Sequence, residues 1–94
     1  MQYDLTTPLV DHDGNAAVEN GVNITAKIAL IKALLSEGVA SVEEKMKRFE
    51  LFLKIKAAEV VELATEEVAL LHKAVEVFPV LVMGQLKHFL DQKT

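Results

Sequence analysis

Ninety-four residues, 51% of them apolar, with a net charge of -4 and neither cysteine nor tryptophan, make one small domain spanning 1–94 with little chemistry in it. The lack of cysteine excludes disulfides and thiolate metal sites, and the acidic balance argues against nucleic-acid binding, which rests on an excess of Lys and Arg. A chain this short buries only about 60–65% of its unfolded surface, so the apolar fraction and the mean hydropathy of +0.26 predict a homo-oligomer that covers the surplus apolar surface.

The chain opens on Met1-Gln2-Tyr3-Asp4, which has neither the basic nor the apolar region of a signal peptide. Its apolar runs, such as Val80-Leu81-Val82-Met83, are too short to span a bilayer. The expected location is the cytoplasm, with no membrane partner. Residues 1–22 read as a β-hairpin or extended arm. Tyr3 to Val10 suits a strand, which Pro8 confines to an edge. Asp13-Gly14 would supply the tight turn and Asn15 to Val18 the return, and Asn20-Gly21 is a second strong turn dipeptide.

Residues 23–94 read as helical, with about four helices. Asn23 or Thr25 can cap the first. Ile24, Ile28, Ile31 and Leu35 share one face and Leu30 and Leu34 another, so this helix is expected at the centre or at an interface. Gly38 is a natural stop. Ser41 and Glu44 form a capping box for the second helix, which should reach about Ala58. One stripe, Val42, Met46, Phe49, Leu53 and Ala57, is expected to face the protomer core. A second set, Leu51, Ile55 and Ala58, points the other way with Phe52 between the two. These four residues are the candidate interface; core and interface are both open readings for them.

Val60-Val61-Glu62-Leu63 is β-prone and either pairs with the N-terminal arm or continues the second helix. Thr65, followed by Glu66 and Glu67, starts the third helix with acids well placed against its dipole. That helix carries Val68, Leu71, Val75 and Phe78 on one face. Pro79 suits the first turn of a fourth, which runs to about Leu90 with Val82, Met83, Leu86, Phe89 and Leu90 inward. Gly84 would allow a close helix crossing, and Gln92 to Thr94 should fray. The fold class is mainly α (α+β): an N-terminal hairpin or arm, then four helices.

No constellation for catalysis stands out, and no enzyme activity is expected. Asp11-His12-Asp13-Gly14-Asn15 resembles a ligand loop, but counted from Asp11 the glycine falls fourth and position twelve is Val22, so it fails the EF-hand pattern. His12, His72 and His88 are not clustered at metal-ligand spacing. Ser36 and Ser41 flank a helix–helix turn and read as caps. Glu66 and Glu67 are adjacent and point about 100° apart on a helix. Four scattered glycines build no phosphate loop. No cofactor or metal is expected. The bases Lys45, Lys47, Arg48, Lys54 and Lys56 are interleaved with Glu43, Glu44, Glu50 and Glu59, which reads as a solvated mixed-charge face.

The succession Asp4-Leu5-Thr6, then 9–15, then Lys45 to Phe52, then 61–67, then Phe78-Pro79 through Gln85 resembles small proteins encoded by tailed-phage and prophage genomes, mostly without an assigned function. The resemblance carries no site residues. It implies an assembly, chaperone or host-regulating role in the host cytoplasm. The expected function is a non-enzymatic protein-binding module, a homo-oligomeric phage assembly or host-regulating adaptor. The alternative is a small nucleic-acid-binding regulator, whose helix-turn-helix would fall in the second and third helices.

Overall fold

A computed structural model of the chain describes residues 2–36 and 40–91. Gly38 and the segment 92–94 lie outside the described residues. The elements in order are β1 (Gln2–Asp4), β2 (Val18–Glu19), β3 (Val22–Asn23), α1 (Ala26–Leu35), α2 (Val42–Lys56), β4 (Val60–Glu62), α3 (Thr65–Ala74), a 3-10 turn (Val75–Val77) and α4 (Val80–Leu90). The fold is mainly α with two small antiparallel β-pairs.

The expected hairpin between 3–10 and 15–18 forms only at its tip, over residues 9–17. Only the first few residues are strand, and β1 pairs antiparallel with β4, placing Tyr3 opposite Val61. The 60–63 segment therefore takes the extended reading. Strand alternation turns Tyr3 and Val61 inward, and both are buried. Leu5 N–H continues the ladder to Glu59 O at 2.7 Å. The regular hairpin is β2–β3, around Asn20 and Gly21. Their φ values of 52° and 79° are what a two-residue turn of this kind requires. The turn at Asp13-Gly14 closes the bridge of Val10 to Ala16, with Asp11 N–H donating to Asn15 O at 2.8 Å and Ala17 N–H to Leu9 O at 3.0 Å on either side.

The arm also completes α1. Helix N-termini leave backbone N–H groups without partners. Here Thr7 O accepts from Ala26 N–H at 2.8 Å, and Leu5 O accepts from Lys27 N–H at 3.0 Å. Thr25 caps the helix, its hydroxyl accepting from Ile28 N–H at 3.4 Å. So the arm is part of the helix cap and is held against the body.

α1 is the central element, packed against α2, α3, α4 and the 3-10 turn. Its buried residues are Ala26, Ala29, Leu30, Ala33 and Leu34. Their spacing gives one broad apolar stripe, and its three alanines let neighbours approach closely. The other apolar row faces outward by degrees: Ile24, Ile28 and Ile31 are half-buried and Leu35 is exposed. Around α1 a single core gathers Tyr3, Leu5, Leu9, Leu51, Ile55, Leu63, Leu71, Val75, Leu86, Phe89 and Leu90. Tyr3 closes it: its hydroxyl donates to Leu90 O at 2.6 Å, and its ring lies 5.4 Å from that of Phe89. Burial, then the Asp91 carboxylate, push the Tyr3 hydroxyl above its ordinary pKa.

Glu67 starts α3 by accepting from Ala64 N–H at 2.9 Å. Alanine has no acceptor to return, so only half of a capping box exists. Gly84 makes no close crossing: a methyl group there would meet nothing within 4 Å.

Candidate functional site

The two sides of α2 are the reverse of the sequence expectation. Leu51 is 3% exposed and Ile55 is fully buried, both inside the protomer core. Ala58 and Phe52 are half-buried and packed against that core. Of the candidate interface, then, Leu51 and Ile55 are interior, and none of the four residues stands out in solvent. The stripe assigned to the interior is outside: Val42 is 77% exposed, Met46 53%, Phe49 48% and Leu53 47%. Ala57 is exposed as well.

The reason lies in what shares each side. The inner side of α2 also carries Glu44 and Arg48, which look like surface residues in sequence. Glu44 Oε1 accepts from Lys73 Nζ of α3 at 2.7 Å, and its other oxygen lies 3.5 Å from Arg48. The hydrogen bond from Lys73 is the main cause of a Glu44 pKa below the ordinary value, outweighing partial burial. Ser41 caps the helix, accepting from Glu44 N–H at 3.1 Å, while the Glu44 carboxylate is used by α3. Farther along, Lys54 Nζ donates to Glu67 at 2.9 Å. Burial raises the Glu67 pKa, but Ala64 N–H and Lys54 together outweigh it and leave it lowered. At the end of α2, Lys27 of α1 donates to Ala58 O at 2.9 Å. These ties fix the rotation of α2 and leave its longer apolar row outward.

That row continues onto neighbouring surface. Phe49 and Leu35 line an open cleft of about 530 Å³ with Leu34, Lys45 and Arg48. Phe49 and Phe52 have ring centroids 6.1 Å apart, and Lys56 Nζ lies 5.7 Å over the Phe52 ring. A second cleft, about 810 Å³, runs between α2 and α3 over Leu51 and Leu70, with charged walls that include Glu43, Lys47 and Glu66. A smaller apolar promontory forms at the start of α4, where Val80 is 82% exposed beside Val77 and Leu81.

The polar features resolve into structural ties. Asp11 Oδ1 accepts from the N–H groups of Asp13 and Asn15, at 2.9 and 3.0 Å, so it stabilises its own loop as an Asx turn. His72 Nε2 lies 2.9 Å from Asp91, His12 is exposed 3.6 Å from Asp13, and His88 is exposed. Among the described residues no group of three His, Asp or Glu side chains is placed to hold a metal ion, and no helix is long and apolar enough to cross a membrane. A helix-turn-helix joins its helices by a short turn; here α2 and α3 are separated by β4, so the second and third helices do not form that motif. No family model, curated protein or solved structure matches the chain.

Proposed function

We propose that the chain is a non-enzymatic protein-binding module, an assembly or host-regulating adaptor of the kind encoded by tailed phages, and that it docks through the outer side of α2. The observation that supports this is the exposed row Val42, Met46, Phe49 and Leu53. Isolated apolar residues on a surface need no explanation, but a contiguous apolar patch with a polar border marks an interaction site. An amphipathic helix face of this kind takes another helix or a groove as partner. The chain has core enough without these residues, because Leu51 and Ile55 already anchor α2 from its other side.

The test is affinity capture from a host lysate with the wild type and with a Phe49→Glu/Leu53→Glu double variant. Both positions are exposed, so the variant should keep the wild-type circular-dichroism spectrum. The expected result is a set of host proteins held by the wild type and lost by the variant. Equal capture by both would overturn the reading.

A further inference from the structure

Resting on that docking face, we infer that its occupant is a second copy of this chain, with the two α2 helices side by side and parallel. The first observation is spacing. Val42, Met46, Phe49 and Leu53 are separated by four, three and four residues, the alternation of a coiled-coil seam. All four are exposed, so the seam is open along its length.

The second observation is the charge on its two borders. At roughly 100° per residue, Glu43 and Glu50 fall on one border of the row, and Lys45 on the other. All three are exposed. Among the described residues, no ion pair within the chain engages Glu43, Lys45 or Glu50, whereas Glu44, Arg48 and Lys54 are all used internally. Glu43 and Glu50 therefore make one border acidic and Lys45 makes the other basic, with none of the three held in an ion pair among the described residues.

This asymmetry selects the arrangement. When two copies are related by a two-fold axis along the helices, the acidic border of each meets the basic border of the other. Lys45 then faces Glu50 of the second copy twice over, at the spacing by which flanking positions pair across a parallel seam. When the helices run antiparallel, acid meets acid and base meets base. The face is thus self-complementary in the parallel sense alone. A closed two-fold pair also uses the same patch on both subunits and leaves no open end.

The chain has no cysteine, so single thiols report contacts directly. Val42→Cys and Leu53→Cys should each form a disulfide-linked dimer with itself on mild oxidation, because like positions meet in a parallel seam. In an antiparallel pair position 42 would sit opposite position 53, and two copies of either would be about 16 Å apart along the axis, beyond disulfide reach. Cross-linking only in a mixture of the two variants would overturn the proposal. Sedimentation equilibrium should give twice the chain mass of 10.4 kDa. Lys45→Glu should weaken association by roughly 2- to 30-fold, as expected for two lost surface pairs, and the swap Lys45→Glu/Glu50→Lys should restore it. A monomer at millimolar concentration would also overturn the proposal. Docking of a different protein on the same face would survive that result, and the capture experiment decides it separately.

Discussion

The N-terminal arm and α2 invert each other. The arm is short, interrupted by Pro8, rich in turns and strand-poor, and it looks like an appendage. Yet Tyr3, Leu5 and Leu9 are among the most buried side chains in the chain. α2 is a 15-residue helix with a long apolar row, and it looks like a core element. Yet four large apolar side chains of that row stand in solvent. The difference is in the backbone and polar ties. The arm is fixed by hydrogen bonds to β4, to the start of α1 and to the end of α4, so its apolar residues have one place to go. α2 is fixed by Lys73, Glu67 and Lys27 along its inner side, and those ties turn its longer row away. Hydrophobicity says that a residue can be buried; the polar ties of its element decide whether it is.

The largest expected effects would break this comparison outright if they failed. Leu5→Ala in the arm and Ile55→Ala on the inner side of α2 each remove a fully buried side chain. Each should lower stability by about 2–5 kcal/mol, through lost burial and the cavity left behind. Leu53→Ala on the outer side, measured at a concentration where the chain is dissociated, should change it by less than about 0.5 kcal/mol. Urea unfolding of the three variants checks this. A large loss for Leu53 with a small one for Ile55 would restore the helical phase that the sequence suggests.

A smaller effect sharpens the account of the arm. Tyr3→Phe keeps the ring against Phe89 but removes the hydroxyl that reaches Leu90 O. It should cost about 1–3 kcal/mol, because a buried acceptor loses its partner. The same hydroxyl gives a pH signature. Its folded pKa is raised above the ordinary 10.0, so the folded state favours the protonated form. The stability this contributes is complete below pH 10.0 and is lost as the pH rises from there through the folded value. The wild type should therefore weaken in alkali more steeply than Tyr3→Phe. Parallel alkaline melting curves would show that the hydroxyl is not what ties the arm down.

Much of the fold was legible because local signals and tertiary structure agree. Ser41 before Glu44, Thr65 before Glu66 and Glu67, and Pro79 before Val80 mark helix starts that the structure uses. The inward rows Leu71 and Val75 on α3 and its following turn, and Leu86, Phe89 and Leu90 on α4, are buried as their spacing implies. The arm was half legible: Asn20-Gly21 makes the hairpin, but the pairing of Tyr3 with Val61 is long-range and leaves no local mark. The exposed row of α2 was the least legible. Both sides of α2 carry an apolar row, so hydrophobicity cannot choose between them. The deciding residues, Glu44 and Arg48, look like surface charges until Lys73 is found beside them. The usable signal was at the borders of the outer row, acidic at Glu43 and Glu50 and basic at Lys45.

The smallest expected effect comes from a third region and tests whether every exposed face is a docking face. Gly84 lies inside α4, one turn after Val80. Glycine within a helix costs about 0.5–1 kcal/mol relative to alanine, because it loses more backbone freedom on folding. Such a cost is retained usefully where something packs too closely for a Cβ. Nothing within the chain does so: a Cβ at Gly84 has no neighbour within 4 Å. Gly84→Ala should therefore raise stability by about 0.5–1 kcal/mol in thermal or urea unfolding, and it should leave the sedimentation mass unchanged, since the proposed seam lies on α2. A loss of stability that appears only at concentrations where the chain associates would mean that a second copy approaches α4 at Gly84. Val80 and Leu81 would then join the interface, and the contrast between a docked α2 and an open α4 would fall.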